Sequence, residues 1–287
     1  MPNIFSESID SIISRYPTIY RYFRFSDRDL KSLYEPYLWF STPDQFNDAF
    51  EGHEILSMSE DFIQYALHIE GCMFPPDPPT PERIALEEEY RLDPTGTYEK
   101  YFQKYKLRFI TETARVRNKG YCCFLSGLNK GELSDHQEMT MWGHYAAGMR
   151  GFRVMYDTKT LLASIDDADA YPIAYKEKPL RVDVAEWLYR CTSQMNWPRI
   201  RAASEERMIQ VKHTSWAFEG ELRLRISEPG ARKYDPQAIK RVDFGAKMPR
   251  PDRELIRHVL DRHQTPIDYY SADLSASAFS VTYRRLP

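Results

Sequence analysis

Apolar residues along this chain recur at every second position in some stretches and at every third or fourth in others, and the switches between the two periods mark out its elements. "TIYRYF" predicts a strand over residues 19–23. "SDRDLKSL" predicts a helix over 27–33, with Ser26 as its N-cap. A second strand is expected at 37–41, ended by Thr42-Pro43-Asp44, and "QFNDAFEG" has the Asn, Asp and Gly content of an ordered loop.

From about residue 59 to 118 the period lengthens. Two helical patterns flank a proline run over 75–81 that fits neither helix nor central strand. In the second pattern Tyr98, Phe102, Tyr105 and Phe109 form one apolar stripe. "GYCCFLSG" then predicts a buried strand. "MTMWGHYAAGMRGFRVMYD" predicts a short helix closing near Gly148 or Gly151, and a strand turning Phe152, Val154 and Tyr156 inward. A strand at 171–176, a helix over 198–210, a strand at 218–226 and a closing strand, helix, strand, strand series complete the pattern. Short helices interleave irregularly with the strands, so the expected class is α+β rather than α/β. The expected architecture is one domain over 1–287: a mixed or antiparallel sheet with peripheral helices and a helical insertion over 59–118.

Composition narrows the classes. With 42% apolar and 14% aromatic residues the 287-residue chain has ample material for a core. A formal charge of -3 removes any bulk-charge argument for binding a polyanion. Cys72, Cys122, Cys123 and Cys191 match no zinc spacing and read as reduced thiols of a cytoplasmic protein. The first residues lack the pattern of a signal peptide, and no run is long and apolar enough to span a bilayer, so no membrane partner is expected. His136-x-Glu138 has the first half of a zinc-deaminase motif without the second, so no metal is expected. Phosphate-loop, dinucleotide-fold and serine-elbow motifs are absent.

In "KHTSWAFEGELRLRIS" strict alternation would set Phe218, Leu222, Leu224 and Ile226 toward the core, with Glu219, Glu221, Arg223 and Arg225 together on the other face. Such a row is what a solvated strand face carries. It is also what an active-site edge needs.

The ordered set "YRYFRF", "LWFSTPDQFNDAFE", "CFLS", "MWGHYAAGMRGFRVMYD", "IAYKEKP", "KHTSWAFEGELRLR" and "IKRVDFGAKM" resembles the bacterial domain of unknown function family 2971 over nearly the whole chain, residues 19–281. Ala49 in "FNDAFE" and Gly143 in "MWGHYA" depart from the usual pattern. An early arginine strand and a late glutamate strand also resemble ADP-ribosyltransferases of the DarT type, which modify nucleic acid with NAD. That second resemblance implies NAD as substrate, a macromolecular acceptor (nucleic acid or protein), and a toxin or phage-defence role.

On this reading Glu221 stabilises the ribosyl cation as nicotinamide departs, Glu219 serves the acceptor, and His144 is a polar candidate beside them. Arg21 would grip the pyrophosphate, with Arg24 as the other candidate. Tyr22, Phe46, Asn47, Tyr145 and Arg223 complete the expected NAD-binding set, although Asn47 and Asp48 equally suit a turn. Glu221→Gln is then expected to abolish turnover at a stability cost of at most about 1 kcal/mol, the ceiling for a surface pair. The alternatives are a non-catalytic nucleotide-, nucleic-acid- or protein-binding module and, third, a metal-independent nuclease using His144.

Overall fold

A computed structural model describes residues 8–71, 79–127, 133–193 and 209–287. In chain order it contains α1 (Ile9–Arg15), β1 (Thr18–Phe23), α2 (Asp27–Tyr34), β2 (Tyr37–Phe40), β3 (Glu54–Ser57), α3 (Phe62–Gly71), α4 (Pro81–Leu92), α5 (Pro94–Arg117) and β4 (Gly120–Ser126). There follow α6 (Asp135–His144), β5 (Phe152–Asp157), α7 (Thr158–Ala163), β6 (Asp169–Pro172), β7 (Ala174–Lys176), β8 (Leu180–Asp183), α8 (Val184–Ser193) and β9 (Val211–His213). A 3-10 turn (Thr214–Glu219) leads into β10 (Glu221–Ile226), β11 (Gly230–Lys233), β12 (Ile239–Gly245), α9 (Arg250–Asp261), β13 (Asp268–Leu274) and β14 (Val281–Arg285). The fold is α+β. The helix expected over 198–210 falls almost wholly outside the described residues, as does most of the proline run.

The chain divides into two compact units. The first, Met1–Phe46, Lys119–Tyr175 and Thr214–Pro287, is built on an eight-stranded sheet in the order β14-β13-β12-β5-β1-β4-β10-β6. Its neighbours are antiparallel except β12 and β13. Cross-strand partners share a face, so the register sorts the side chains. Ile19, Phe23, Cys122, Phe124, Val154, Leu222, Leu224 and Val242 lie on one face and pack under residues of α1, α2, α7 and α9, such as Ile12, Leu33, Leu161 and Ile256.

The opposite face presents Tyr22, Leu125, Glu221, Arg223, Arg153 and Asp243, and α6 lies over part of it through Met141 and Trp142. Local chemistry fixes both helices that flank β1. The Ser26 hydroxyl accepts from the Asp29 N–H at the start of α2. Ser134 and Gln137 form a reciprocal capping box at the start of α6.

The second unit, Asn47–Asn118 and Lys176–His213, packs α3, α4, α5 and α8 around Phe62, Tyr105, Phe109, Trp187 and Leu188, and pairs β3 in parallel with β8. The buried stripe of α5 runs through Thr97, Tyr101, Tyr105, Phe109, Thr113 and Val116, by steps of four and a last step of three. Tyr98 and Phe102, expected in one stripe with Tyr105 and Phe109, sit on its half-buried flank. Tyr98 has a polar reason to be there, because its hydroxyl donates to the Met58 carbonyl at 2.6 Å.

Candidate functional site

The row read as either a wet strand face or an active-site edge is neither in simple form. Glu219 lies in the 3-10 turn rather than in β10, and Gly220, with φ +45°, redirects the chain between the two glutamates. Phe218 therefore leaves the core face to which strict alternation assigned it and packs instead with the cluster under α6. The solvated reading fails on burial. Glu219 is 7% exposed, Glu221 4% and Arg223 0%.

Glu221, Arg223 and Arg225 do share a face, through their partners Leu125, Cys123 and Tyr121 on β4. The Glu221 Oε1 accepts from Arg223 Nε at 2.7 Å, and the Arg223 Nη2 lies 2.7 Å from the same oxygen. The guanidinium also lies over the ring of Phe46, 4.8 Å from its centroid. The Tyr175 hydroxyl oxygen accepts from the Glu221 N–H at 2.8 Å. Burial, then the charge of Glu221, hold the Cys123 thiol well above its usual range, so it stays protonated beside this pair. The premise of the expected ceiling of about 1 kcal/mol for Glu221→Gln, a surface pair, does not hold, because both partners are enclosed.

Glu219 is held differently. Tyr145, the C-cap of α6, donates its hydroxyl to Glu219 Oε1 at 2.5 Å. Around this contact lie half-buried Phe218 and Trp216, with ring centroids 6.0 Å apart, and the rings of exposed His144 and His136, each 6.4 Å from Phe218. Arg24 donates to the His144 carbonyl at 3.2 Å. The turn after α6 is tightly shaped: Ala147, Gly148 and Met149 all have positive φ, at 52°, 62° and 70°. A Cβ on Gly151 would meet the Phe23 carbonyl oxygen at 1.9 Å, so only glycine permits this approach of the turn to β1.

Next to this lies a charge network that the sequence reading missed. Arg153 on β5, 3% exposed, donates to Asp243 Oδ2 at 2.7 Å, Glu138 Oε1 at 2.8 Å and the Tyr22 hydroxyl at 3.2 Å. Its guanidinium also lies over the rings of Tyr20, Tyr22 and Tyr283, the last at 4.5 Å. Burial pushes the Tyr22 and Tyr283 hydroxyls upward, so both act as neutral hydrogen-bond groups. Glu138, one half of the His-x-Glu pair, is therefore an arginine partner. A detectable signal was present: an arginine inside "FRVMYD", a strand otherwise suited to burial.

Arg21 is not part of this assembly. It alternates with Tyr20 and Tyr22 and lies on the opposite, apolar-packed face, donating to Cys122 Sγ at 3.1 Å and lying over Phe23. Tyr22, Tyr145, Arg223, Glu219 and Glu221 thus occupy one face or its rim, and Arg21 the other. The convergence of Arg21 with Glu221 expected for gripping NAD does not occur, because residues one apart on a strand point to opposite sides. Asn47 belongs to the second unit, where the neighbouring Asp48 accepts from the Phe50 N–H at 3.0 Å and makes the expected turn.

Among the described residues no group of three His, Cys, Asp or Glu side chains is arranged to hold a metal ion, and no helix is long and apolar enough to cross a membrane.

Residues 141–224 match the model of a protein family of unknown function, DUF2971. The match corrects the extent of the resemblance, which the motif order had placed over 19–281. No curated protein and no solved structure matches the chain. The DUF2971 segment runs from the end of α6 to β10, and so contains Tyr145, Arg153, Glu219, Glu221 and Arg223 while leaving out Arg21 and Phe46.

Proposed function

We propose that this chain is an NAD-consuming, ADP-ribosyltransferase-like enzyme acting on a macromolecular acceptor, nucleic acid or protein, with Glu219 as its working carboxylate. The observation that carries the reading is the contact between Glu219 and Tyr145 beside the rings of Phe218, Trp216 and His144. Those rings suit a planar base or a nicotinamide, which stacks on aromatic side chains. A carboxylate at their edge suits the positive charge that grows on the ribose carbon. As the bond from nicotinamide nitrogen to ribose breaks, its electron pair leaves with nicotinamide. The acceptor oxygen or nitrogen then bonds to that carbon, and its proton passes to a carboxylate.

This reading moves the principal role from Glu221 to Glu219. Glu221 is pinned inside the sheet by Arg223, whose positive charge offsets its own, and serves to hold that strand end. Arg24, which donates to the His144 carbonyl at the end of α6, takes the phosphate-gripping role in place of Arg21. The test is release of nicotinamide from NAD by the purified protein, with RNA, DNA and protein acceptors in turn. Glu219→Gln is expected to lower the rate by about a hundredfold or more in a folded protein. Unchanged release in that variant removes the assignment.

The placement of Arg21 on the opposite face favours a second reading, a non-catalytic nucleotide-binding module using the same rings. NAD binding without nicotinamide release would select it.

A further inference from the structure

The apolar-packed face of the sheet carries a cleft of about 280 Å³ within the first unit, on the side opposite to the one that carries Glu221. Arg21, Arg28, Asp29, Ser32, Tyr37 and Trp39 are among its walls. Arg21 is the unusual member. It is half-buried, and its hydrogen bond goes to the sulfur of Cys122, a weak acceptor. Burial holds that thiol above its usual range and hence neutral, so it does not balance the guanidinium. Among the described residues Arg21 forms no ion pair with a carboxylate, and neither does Arg28, whose guanidinium lies over the Trp39 indole at 5.4 Å.

A partly enclosed guanidinium with no carboxylate in contact is unfavourable unless an anion can meet it. Arg21 and Arg28 against Asp29 leave the cleft one positive charge in excess. Asp29 accepts from Ser26 at the cap of α2, and its carboxylate also lends itself to sugar hydroxyls. Ser32 and Tyr37 add hydroxyl groups, and Trp39, 42% exposed, offers an indole at the rim. The cleft is at the small end of ligand sites, whose volumes begin near about 300 Å³.

We propose that this cleft is a second binding site, for a phosphomonoester of mononucleotide size. The phosphate is held by Arg21 and Arg28, sugar hydroxyls by Asp29, and the base by Trp39. A guanidinium fork matches two phosphate oxygens, which explains an arginine rather than a lysine at position 21. The site is independent of the NAD reading, because the two lie on opposite faces of one sheet.

The full chain is titrated by calorimetry with AMP, ribose 5-phosphate, adenosine and inorganic phosphate. AMP is expected to bind, and adenosine to bind at least about tenfold more weakly for want of the phosphate. Arg21→Gln is expected to weaken AMP at least about tenfold while leaving nicotinamide release unchanged. Trp39→Leu is expected to weaken AMP but not ribose 5-phosphate. If Arg21→Gln does not fold, Arg28→Gln on the cleft rim takes its place, with the same direction expected. No heat with AMP up to about 10 mM, or AMP affinity unchanged in a folded arginine variant, overturns the proposal. The second result would place AMP elsewhere, as the NAD reading allows. Loss of nicotinamide release from Glu219→Gln with AMP affinity intact keeps the two sites separate.

Discussion

Arg153 and Arg21 sit on adjacent strands of one sheet and face opposite ways, and their surroundings differ as much as two arginine environments can. Arg153 is 3% exposed and is met by two carboxylates, a tyrosine hydroxyl and the faces of three tyrosine rings. Every direction in which its charge could act is already occupied by the protein. Arg21 has one thiol sulfur and one ring, and borders a cleft. A buried charge balanced from within is part of the architecture, whereas one left unbalanced at an opening is available to a ligand. Burial alone does not separate the two. The partners do.

The largest expected effect comes from removing Arg153. Arg153→Met leaves Asp243, 0% exposed, and Glu138 short of their shared cation. Arg241 still meets Asp243 at 2.6 Å, whereas Glu138 keeps the Tyr283 hydroxyl, a neutral group that donates to it at 2.8 Å. Urea unfolding should show a loss of about 3–5 kcal/mol. Arg21→Met strands no carboxylate, and its loss should stay below about 1 kcal/mol. Equal losses at the two positions would erase the distinction between architecture and ligand site.

The same contrast, on a smaller scale, separates the two glutamates. Glu221→Gln removes the carboxylate that the enclosed Arg223 Nε and Nη2 meet at 2.7 Å and should cost about 3 kcal/mol. Tyr145→Phe removes one hydrogen bond to Glu219 at the half-buried edge and should cost about 1.5–2 kcal/mol, measured in the same unfolding series. A larger loss from Tyr145→Phe than from Glu221→Gln would mean that the edge, not the interior pair, holds this end of β10.

What the sequence could reveal followed the range of the interactions. The limits of β1 and α2, and the cap by Ser26, depend on residues within a turn of one another and were legible. So was the common face of Glu221, Arg223 and Arg225. What covers that face was not, since α6 and the neighbouring strands decide it from far along the chain. Alternation was also carried one step too far, through Gly220, where a positive φ breaks it and moves Phe218 and Glu219 into a turn. Arg153 was passed over because Asp243 lies 90 residues away in sequence. Arg21 and Glu221 were joined by chemical need, although the parity of β1 places Arg21 with Ile19 and Phe23 rather than with Tyr22.

At the weak end of the scale lies an exposed carboxylate, and there the comparison predicts a pH dependence rather than a structural failure. Asp167, between α7 and β6, accepts from the hydroxyl and the N–H of Ser227, the latter at 2.9 Å, and these bonds hold its pKa below the ordinary carboxylate value. Bonds that favour the ionised form contribute stability above the unfolded pKa, about 3.9, and that contribution is lost as pH falls through the lower folded value. Asp167→Asn isolates the charge, because asparagine tolerates the positive φ of 58° at this position better than alanine would. Melting curves should therefore place the variant slightly below the parent near pH 6 and converge on it toward about pH 2. Because water already solvates this side chain, the gap should be the smallest of the series. A gap that stayed constant across that range would show the Ser227 contacts to act through shape alone, with the carboxylate charge contributing nothing.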